Sequence, residues 1–484
     1  MERWRNMERW RSRLKSPARN SISSRRQLRL IVVANRAPIR RTEAGWEPSI
    51  GGMATALTPV LNEQGGVWIS MQEEDDLPLR QQYPEHDPNY VVRRVPLTPE
   101  ELAEYYDGMA NSVLWPISHY MIQHLRLEPS FFKTYRAINA RFAAAVVEEY
   151  QPGDRIWIQD YHLMLAAEHI REEIPDANIG FFWHIPWPAM EVFRILPGAR
   201  DLVRGLLACD VIGFHVNEYV DNFLKTARVL VGAAVSGRSI MWEGREVRVE
   251  AQPIGIDVKM FDDLSNDPQL VHEAEAIRAE IGTEFLVVGI DRLDYTKGVL
   301  TRLRAFEQFL TEYPHYHGRV TLYQVATPSR TEVASYRQLK REVDEAVGRI
   351  NGTFAHHAWI PVHYVYRSYT QKELCVFYRA ADVALITPLR DGMNLVTQEF
   401  IATSRRGVLV LSELTGAAYL LPEAIQINPY NLDDLVQSLR EALEMSEAEK
   451  LERLNYLKQT VTSLDVHHWA RRFLAALDPT HAAS

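Results

Sequence analysis

"TPLRDGMNLVTQEF", residues Thr387–Phe400, follows the apolar run "ADVALI" and decides how the rest of the chain is read. The apolar run suits a buried strand, "PLRDG" a strand end with a tight turn, and "NLVTQEF" the start of a helix. Gly392 lets the backbone come close to a ligand, and the first N–H groups of the helix have no acceptor within it. An anion, above all a phosphate, fits such a helix start. Glu399 lies a little over one turn beyond Leu395, where a carboxylate could accept both hydroxyls of a ribose. A helix glutamate that meets only solvent or the dipole is the plain alternative.

The same strand-to-helix rhythm recurs on both sides of residue 250. The apolar runs "LRLIVVAN", "GGVWISM", "YVVRRVPL", "RIWIQDYHL", "IGFFWHIP" and "DVIGFH" precede it; "FLVVGIDRL", "VTLYQVATP", "DVALITPL", "GVLVLSEL" and "AIQINPY" follow. Runs of Val, Ile, Leu and Phe without polar alternation suit parallel strands covered on both faces. Between them lie amphipathic stretches such as "FFKTYRAINARFAAAVVEEY" and "GVLTRLRAFEQFLTEYP", with apolar positions three and four apart. The pattern predicts an α/β fold of two Rossmann-like, doubly wound domains. A chain of 484 residues is long enough for two cores. The expected divisions are a basic leader at 1–27, an N-terminal domain at 28–254, a C-terminal domain at 255–463 and a helix at 464–484 crossing back to the first domain. The seam falls near "QPIGID".

Polar or special residues close many of these runs: Asn35-Arg36, Asp160-Tyr161-His162, His184, His215, Arg292, Ser329-Arg330 and Arg390-Asp391. Ligands of open parallel sheets bind outside the carboxyl ends of the strands. Two domains that turn those ends inward would gather all these groups in one cleft. In "GIDRLDYTKG", Arg292 and Lys297 stand on a strand-to-loop turn from which both could reach one diphosphate, Arg as a fork and Lys as a point charge. A solvated surface pair is the simpler account of two such cations. Neither G-x-x-x-x-G-K-[ST] nor a strand-borne G-x-G-x-x-G occurs, so P-loop and dinucleotide readings lose support. His184 ends a strand between prolines in "FFWHIPWP" and could donate to a substrate oxygen or serve as a satisfied core histidine. The paired histidines at 315/317, 356/357 and 467/468 lack carboxylates at ligand spacing, and no metal site is expected.

Composition narrows the classes of function. Hydrophobic residues make up 46% and charged ones 24%, ordinary for a globular protein, and no run approaches the length of a membrane span. Cys209 and Cys375 are too few and too far apart for a disulfide framework, which fits a reducing cytoplasm. Residues 1 to 30 hold ten Arg or Lys against Glu2 and Glu8, a net +8, so the remainder carries −17. A body of that charge does not bind nucleic acid through its general field. The leader repeats "MERWR" and is rich in Ser, which reads as a disordered segment or a start codon placed early; an organellar transit peptide or a membrane-surface segment are the other readings.

Ten motifs in register now support a resemblance. "NRAPI" with a later "GG", "EYYDGMANSVLWP", "IWIQDYHLMLAAEHIR", "IGFFWHIPWPAMEVFRILP", "VIGFH", "PIGID", "DRLDYTKG", "ATPSR", "TPLRDGMNLVTQEF" and "INPY" resemble the trehalose-6-phosphate synthase family of retaining glycosyltransferases, over about residues 28 to 475. The resemblance implies the two-domain GT-B architecture. It also implies that Arg292 and Lys297 hold the diphosphate of UDP-glucose, with the backbone of Asp391, Gly392, Met393, Asn394 and Leu395, and that Glu399 takes the ribose hydroxyls. Gly51 and Gly52 match a loop that closes over the donor, and His184 and Asp391 would position its glucose. Arg36, Tyr106, Trp115 and Arg330 would surround the phosphate of glucose 6-phosphate, and Asp160 would bind an acceptor hydroxyl. Trp183 and Trp187 stand where the family usually has Leu and Phe, a change expected to reshape the sugar pocket.

The chemistry agrees with that inventory. Cleaving a nucleotide sugar leaves negative charge on a diphosphate, so cations and N–H donors are needed where the charge grows. No carboxylate nucleophile announces itself, and the resemblance implies front-face attack with the leaving phosphate taking the acceptor's proton. No cofactor or metal is expected, since the nucleotide sugar is a substrate. A glucosylglycerol-phosphate synthase using glycerol 3-phosphate, a catalytically silent sugar-phosphate sensor and a pyridoxal-phosphate phosphorylase are the alternatives. No D-x-D-x-T signature occurs, so a separate phosphatase is expected downstream. Formation of a homo-oligomer stays open.

Overall fold

The computed structural model describes residues 29–42, 45–49, 52–74, 76–84, 89–330 and 333–478. The leader at 1–27, Gly51 and the last six residues lie outside them.

Unbroken apolar runs become the centres of two sheets. Leu30–Val33 and Val383–Ile386 are buried at every position, as strands covered on both faces must be. The first sheet has the order Ala234–Ser236, Ser239–Trp242, Arg245–Ala251, Val211–Phe214, Asn178–Phe182, Arg155–Gln159, Leu30–Val33, Gly66–Met71, Tyr90–Val95 and Arg80–Tyr83. Its central strands are parallel and its outermost ones antiparallel. The second sheet runs Val362–Tyr366, Val320–Thr327, Phe285–Arg292, Val383–Ile386, Val408–Ser412 and Ile425–Ile427, all parallel.

Each sheet reverses its winding once, and these switch points place the site. In the first, the reversal lies between Leu30–Val33 and Arg155–Gln159, so Asn35-Arg36 and Asp160-Tyr161 open onto one crevice. In the second it lies between Phe285–Arg292 and Val383–Ile386, which brings Arg292 beside the "TPLRDG" turn. Such crevices are the binding places of doubly wound sheets. The expected α/β class, two Rossmann-like lobes facing across a cleft, is what the chain adopts.

Several of the strands that apolar runs do not reveal lie at edges. Arg80–Tyr83, Ala234–Ser236 and Val362–Tyr366 are half exposed, so their sequences carry no long apolar stretch.

The chain re-enters the first lobe at its end. Helix Val466–Ala476 lays Phe473 flat on Trp157, with centroids 4.4 Å apart and planes 6° from parallel. Gly180 and Gly213 make room for it, because a Cβ on either would strike the Phe473 ring. Gly255 passes against the backbone of Leu464 and Asp465, where a side chain would not fit. Among the described residues no helix is long and apolar enough to cross a membrane.

Candidate active site

On the second lobe the site grows from one carboxylate. Asp391 accepts from Lys297 Nζ at 2.5 Å, from Asn394 Nδ2 at 3.0 Å and from the Gly392 N–H at 2.9 Å. Burial alone would raise this carboxyl, but Lys297 overrides it and holds it below the usual carboxylate range. Asn394 adopts φ 70°, a left-handed conformation that Asn tolerates, and its Oδ1 caps helix Leu395–Thr403 through the Thr397 N–H at 3.1 Å. The N–H groups of Leu395 and Val396 at the start of that helix have no acceptor within it and point along its axis, out of the N-terminal end. Arg292, at the end of its strand, is exposed and forms no ion pair among the described residues; its guanidinium lies 5.5 Å from the centre of the Trp115 ring. Glu399 is buried one helical turn in, where Tyr378 donates to its Oε2 at 3.0 Å. Burial pushes its carboxyl up to about 7.

The first lobe supplies most of a second polar nest, to which the second lobe adds Arg330 from just beyond its strand Val320–Thr327. Arg36 donates to the Tyr106 hydroxyl at 3.2 Å, and the Arg330 guanidinium lies 4.2 Å from the Trp115 ring centre. Tyr106 and Trp115 are nine residues apart, about two and a half turns of α-helix, which would put them on opposite sides. The segment Ala103–Leu114 instead forms a π-helix, whose wider turn closes about two turns over the same span and brings both side chains to one face. Asp160 holds φ 69° and accepts from the His184 N–H at 3.2 Å, and burial pushes its carboxyl up to about 7. Arg330 also has a positive φ, so three of the six non-glycine residues in that region among the described residues are site residues. Backbone strain of this kind concentrates at functional sites. Trp115 Nε1, Asn111 Nδ2, His162 Nδ1 and Gln159 Nε2 are buried without a protein hydrogen-bond partner, which suits a ligand rich in hydroxyls.

The lobes meet around Gly392. A Cβ there would strike the His184 carbonyl oxygen, so only glycine permits this approach. Tyr219 of the first lobe donates to the Asp391 carbonyl at 3.0 Å. Gln398 donates to the Ile254 carbonyl at 3.1 Å, tying the donor-side helix to the crossover.

Of the described residues expected from sequence, Arg36, Tyr106, Trp115, Asp160, His184, Arg292, Lys297, Arg330, Asp391, Gly392, Asn394 and Glu399 make the contacts given above; Met393 is buried in the apolar core, Leu395 begins its helix, and Gly52 starts the helix Gly52–Gln64. His184 departs in detail: its Nε2 is shared with Gln159 Oε1 at 2.8 Å, and burial drives the ring well below its ordinary value, so it is neutral. The expectation for Trp183 and Trp187 needs correction. Both are fully buried, and Trp187 packs on Phe193, Phe214 and Phe223 with its N–H on Thr226, so they fill core volume instead of lining the pocket. Sequence reasoning missed Asp294 and Tyr336, which together with the strand-end Tyr161 surround Arg330. Among the described residues no group of three or more His, Cys, Asp or Glu could hold a metal ion.

Comparison with known proteins places this geometry. A model of glycosyltransferase family 20 matches residues 23–479. A bifunctional trehalose-6-phosphate synthase/phosphatase of Thermoproteus tenax is 42% identical over 93% of this chain and 63% of its own length. The chain therefore spans less than two thirds of that relative. A trehalose-6-phosphate synthase of Mycobacterium avium is 40% identical over 92% of this chain and 94% of its own. A crystal structure of an α,α-trehalose-phosphate synthase (UDP-forming) from Burkholderia xenovorans in complex with glucose 6-phosphate superposes with a TM-score of 0.87, at 32% identity, covering 93% of this chain and 99% of that one.

Proposed function

The chain belongs to glycosyltransferase family 20, and we propose that it transfers glucose from UDP-glucose to glucose 6-phosphate with retention, giving trehalose 6-phosphate and UDP. The observation that carries this reading is the meeting of two anion-binding nests across one cleft. Arg292, Lys297 and the start of helix Leu395–Thr403 form the first; Arg36, Tyr106, Trp115 and Arg330 form the second.

In this reading the donor diphosphate lies against Arg292, Lys297 and the N–H groups from Gly392 to Leu395, and Glu399 accepts from the ribose. The bond from the anomeric carbon to the diphosphate breaks as a bond to the acceptor hydroxyl forms on the same face, and that hydroxyl's proton passes to the departing diphosphate oxygen. Negative charge grows on the leaving group, where the fixed cations and helix N–H groups are already oriented. Asp160 holds an acceptor hydroxyl, and the neutral His184 bounds the donor sugar beside Asp391. The reaction requires no cofactor beyond the nucleotide sugar itself, and a separate phosphatase removes the product's phosphate.

The test is a matrix of UDP-, GDP- and ADP-glucose against glucose 6-phosphate and glycerol 3-phosphate, with nucleotide release as the signal. Release of UDP with glucose 6-phosphate supports the assignment. Turnover with glycerol 3-phosphate alone would move it to glucosylglycerol-phosphate synthesis, and no turnover in any combination would leave a sugar-phosphate sensor.

A further inference from the structure

Arg330 does not reach the cleft as a free side chain. Its Nη1 donates to Asp294 Oδ2 at 3.0 Å and to the Tyr336 hydroxyl, its Nη2 to the Tyr161 hydroxyl at 3.4 Å, and its flat face rests on Trp115. Tyr336 in turn donates to the same Asp294 Oδ2 at 2.8 Å. Asp294 itself is wholly buried. Its other oxygen, Oδ1, turns to the donor side and accepts from the Thr296 N–H and from the Thr296 hydroxyl, both at 2.9 Å, which fixes the turn Tyr295–Lys297. The Lys297 N–H closes the same turn on the Asp294 carbonyl at 3.0 Å.

We propose that Asp294 is a positioning residue that couples the two halves of the site, one carboxylate oxygen setting the turn that carries Lys297 and the other aiming Arg330 at the acceptor phosphate. The inference rests on the reading given above for the two nests. Burial alone would raise the Asp294 carboxyl, yet Arg330 and Arg292 bring it down to about 2, so it stays ionised at any working pH. A fixed anion beside a phosphate-binding arginine has two opposed effects. Its charge weakens attraction of a phosphate, and its geometry holds the guanidinium fork where a phosphate can use it. The three hydrogen bonds and the aromatic face on Arg330 make geometry the stronger of the two. Loss of the Oδ2 acceptor therefore weakens acceptor binding even though it removes a negative charge.

Asp294→Asn separates these effects, because an Asn carbonyl oxygen can still serve Thr296 while its NH2 group cannot accept from Arg330 or Tyr336. With UDP-glucose and glucose 6-phosphate, the expected result is a KM for glucose 6-phosphate raised at least tenfold, a KM for UDP-glucose within threefold of the unmodified chain, and a smaller preference for glucose 6-phosphate over unphosphorylated glucose. Tyr336→Phe should shift the acceptor KM in the same direction by about threefold, and it serves as the second variant should Asp294→Asn fail to fold. A lower acceptor KM, or equal rises in both KM values, would overturn the proposal in favour of a charge effect or a purely structural turn. Calorimetric titration of glucose 6-phosphate into the UDP-loaded proteins separates this inference from the reaction. Weaker binding by Asp294→Asn supports it even when the unmodified chain shows no turnover, a result that would count against the reaction alone.

Discussion

Lys297 and Asp391 pair with side chains only 11% and 12% exposed, so neither can lose its partner cheaply. Lys297→Ala should cost about 3 kcal/mol in urea unfolding, because it leaves a buried carboxylate without its cation. Adding Asp391→Asn should recover part of that loss. Glu399 gives a prediction with a defined pH window. Its carboxyl ionises at about 7 in the folded chain against an ordinary 4.5, so ionisation opposes folding. The penalty is absent below pH 4.5, grows between 4.5 and 7, and reaches about 3 kcal/mol above that. Glu399→Gln should therefore raise the melting temperature at about pH 8 and leave it unchanged at about pH 4.5. A gain of the same size at both pH values would show that ionisation is not the cause. At this scale the sequence exposes residues that interrupt apolar runs, such as Arg292, Asp391 and Glu399. It hides Asp294, which looks like any turn-capping acid, and Tyr336, which meets it from 42 residues away.

Among the elements, the turn from Asp391 to Leu395 and the π-helix Ala103–Leu114 do most to shape the cleft. Gly392→Ala forces a methyl group against the His184 carbonyl, so the lobes must separate or the turn must move. Turnover should fall by about two orders of magnitude or more, the scale of a misplacement near ~1 Å, while circular dichroism stays unchanged. Unaltered turnover would mean that the close approach is dispensable. Strands buried on both faces were legible because nothing polar interrupts them, as in "LIVV" at 30–33. Edge strands such as Arg80–Tyr83 were not, since one solvated side removes the apolar signal. The π-helix was equally hidden, because no residue pattern in "AEYYDGMANSVL" distinguishes its wide turn from an ordinary helical one.

Across the whole molecule the chain's end fastens what its beginning builds. Phe473 lies on Trp157 and in the space left by Gly180 and Gly213, so Phe473→Ala should cost about 3–5 kcal/mol although it lies far along the chain from the lobe it stabilises. Loss of that size in a scanning calorimeter, with the Leu395 end of the donor site untouched, would confirm that the closing helix belongs energetically to the first lobe. The two lobes matter because each contributes half of the charge pattern: Arg292, Lys297 and a helix start on one side, Arg36 and the Trp115 platform on the other. The most direct measurement of that arrangement is calorimetric titration of UDP into the unmodified chain and into Arg292→Ala, which has no ion pair to lose among the described residues. One UDP per chain, bound about a hundredfold more weakly by the variant at unchanged melting temperature, is the expected result. Equal affinity in the two proteins, or no heat with the unmodified chain, would contradict the account.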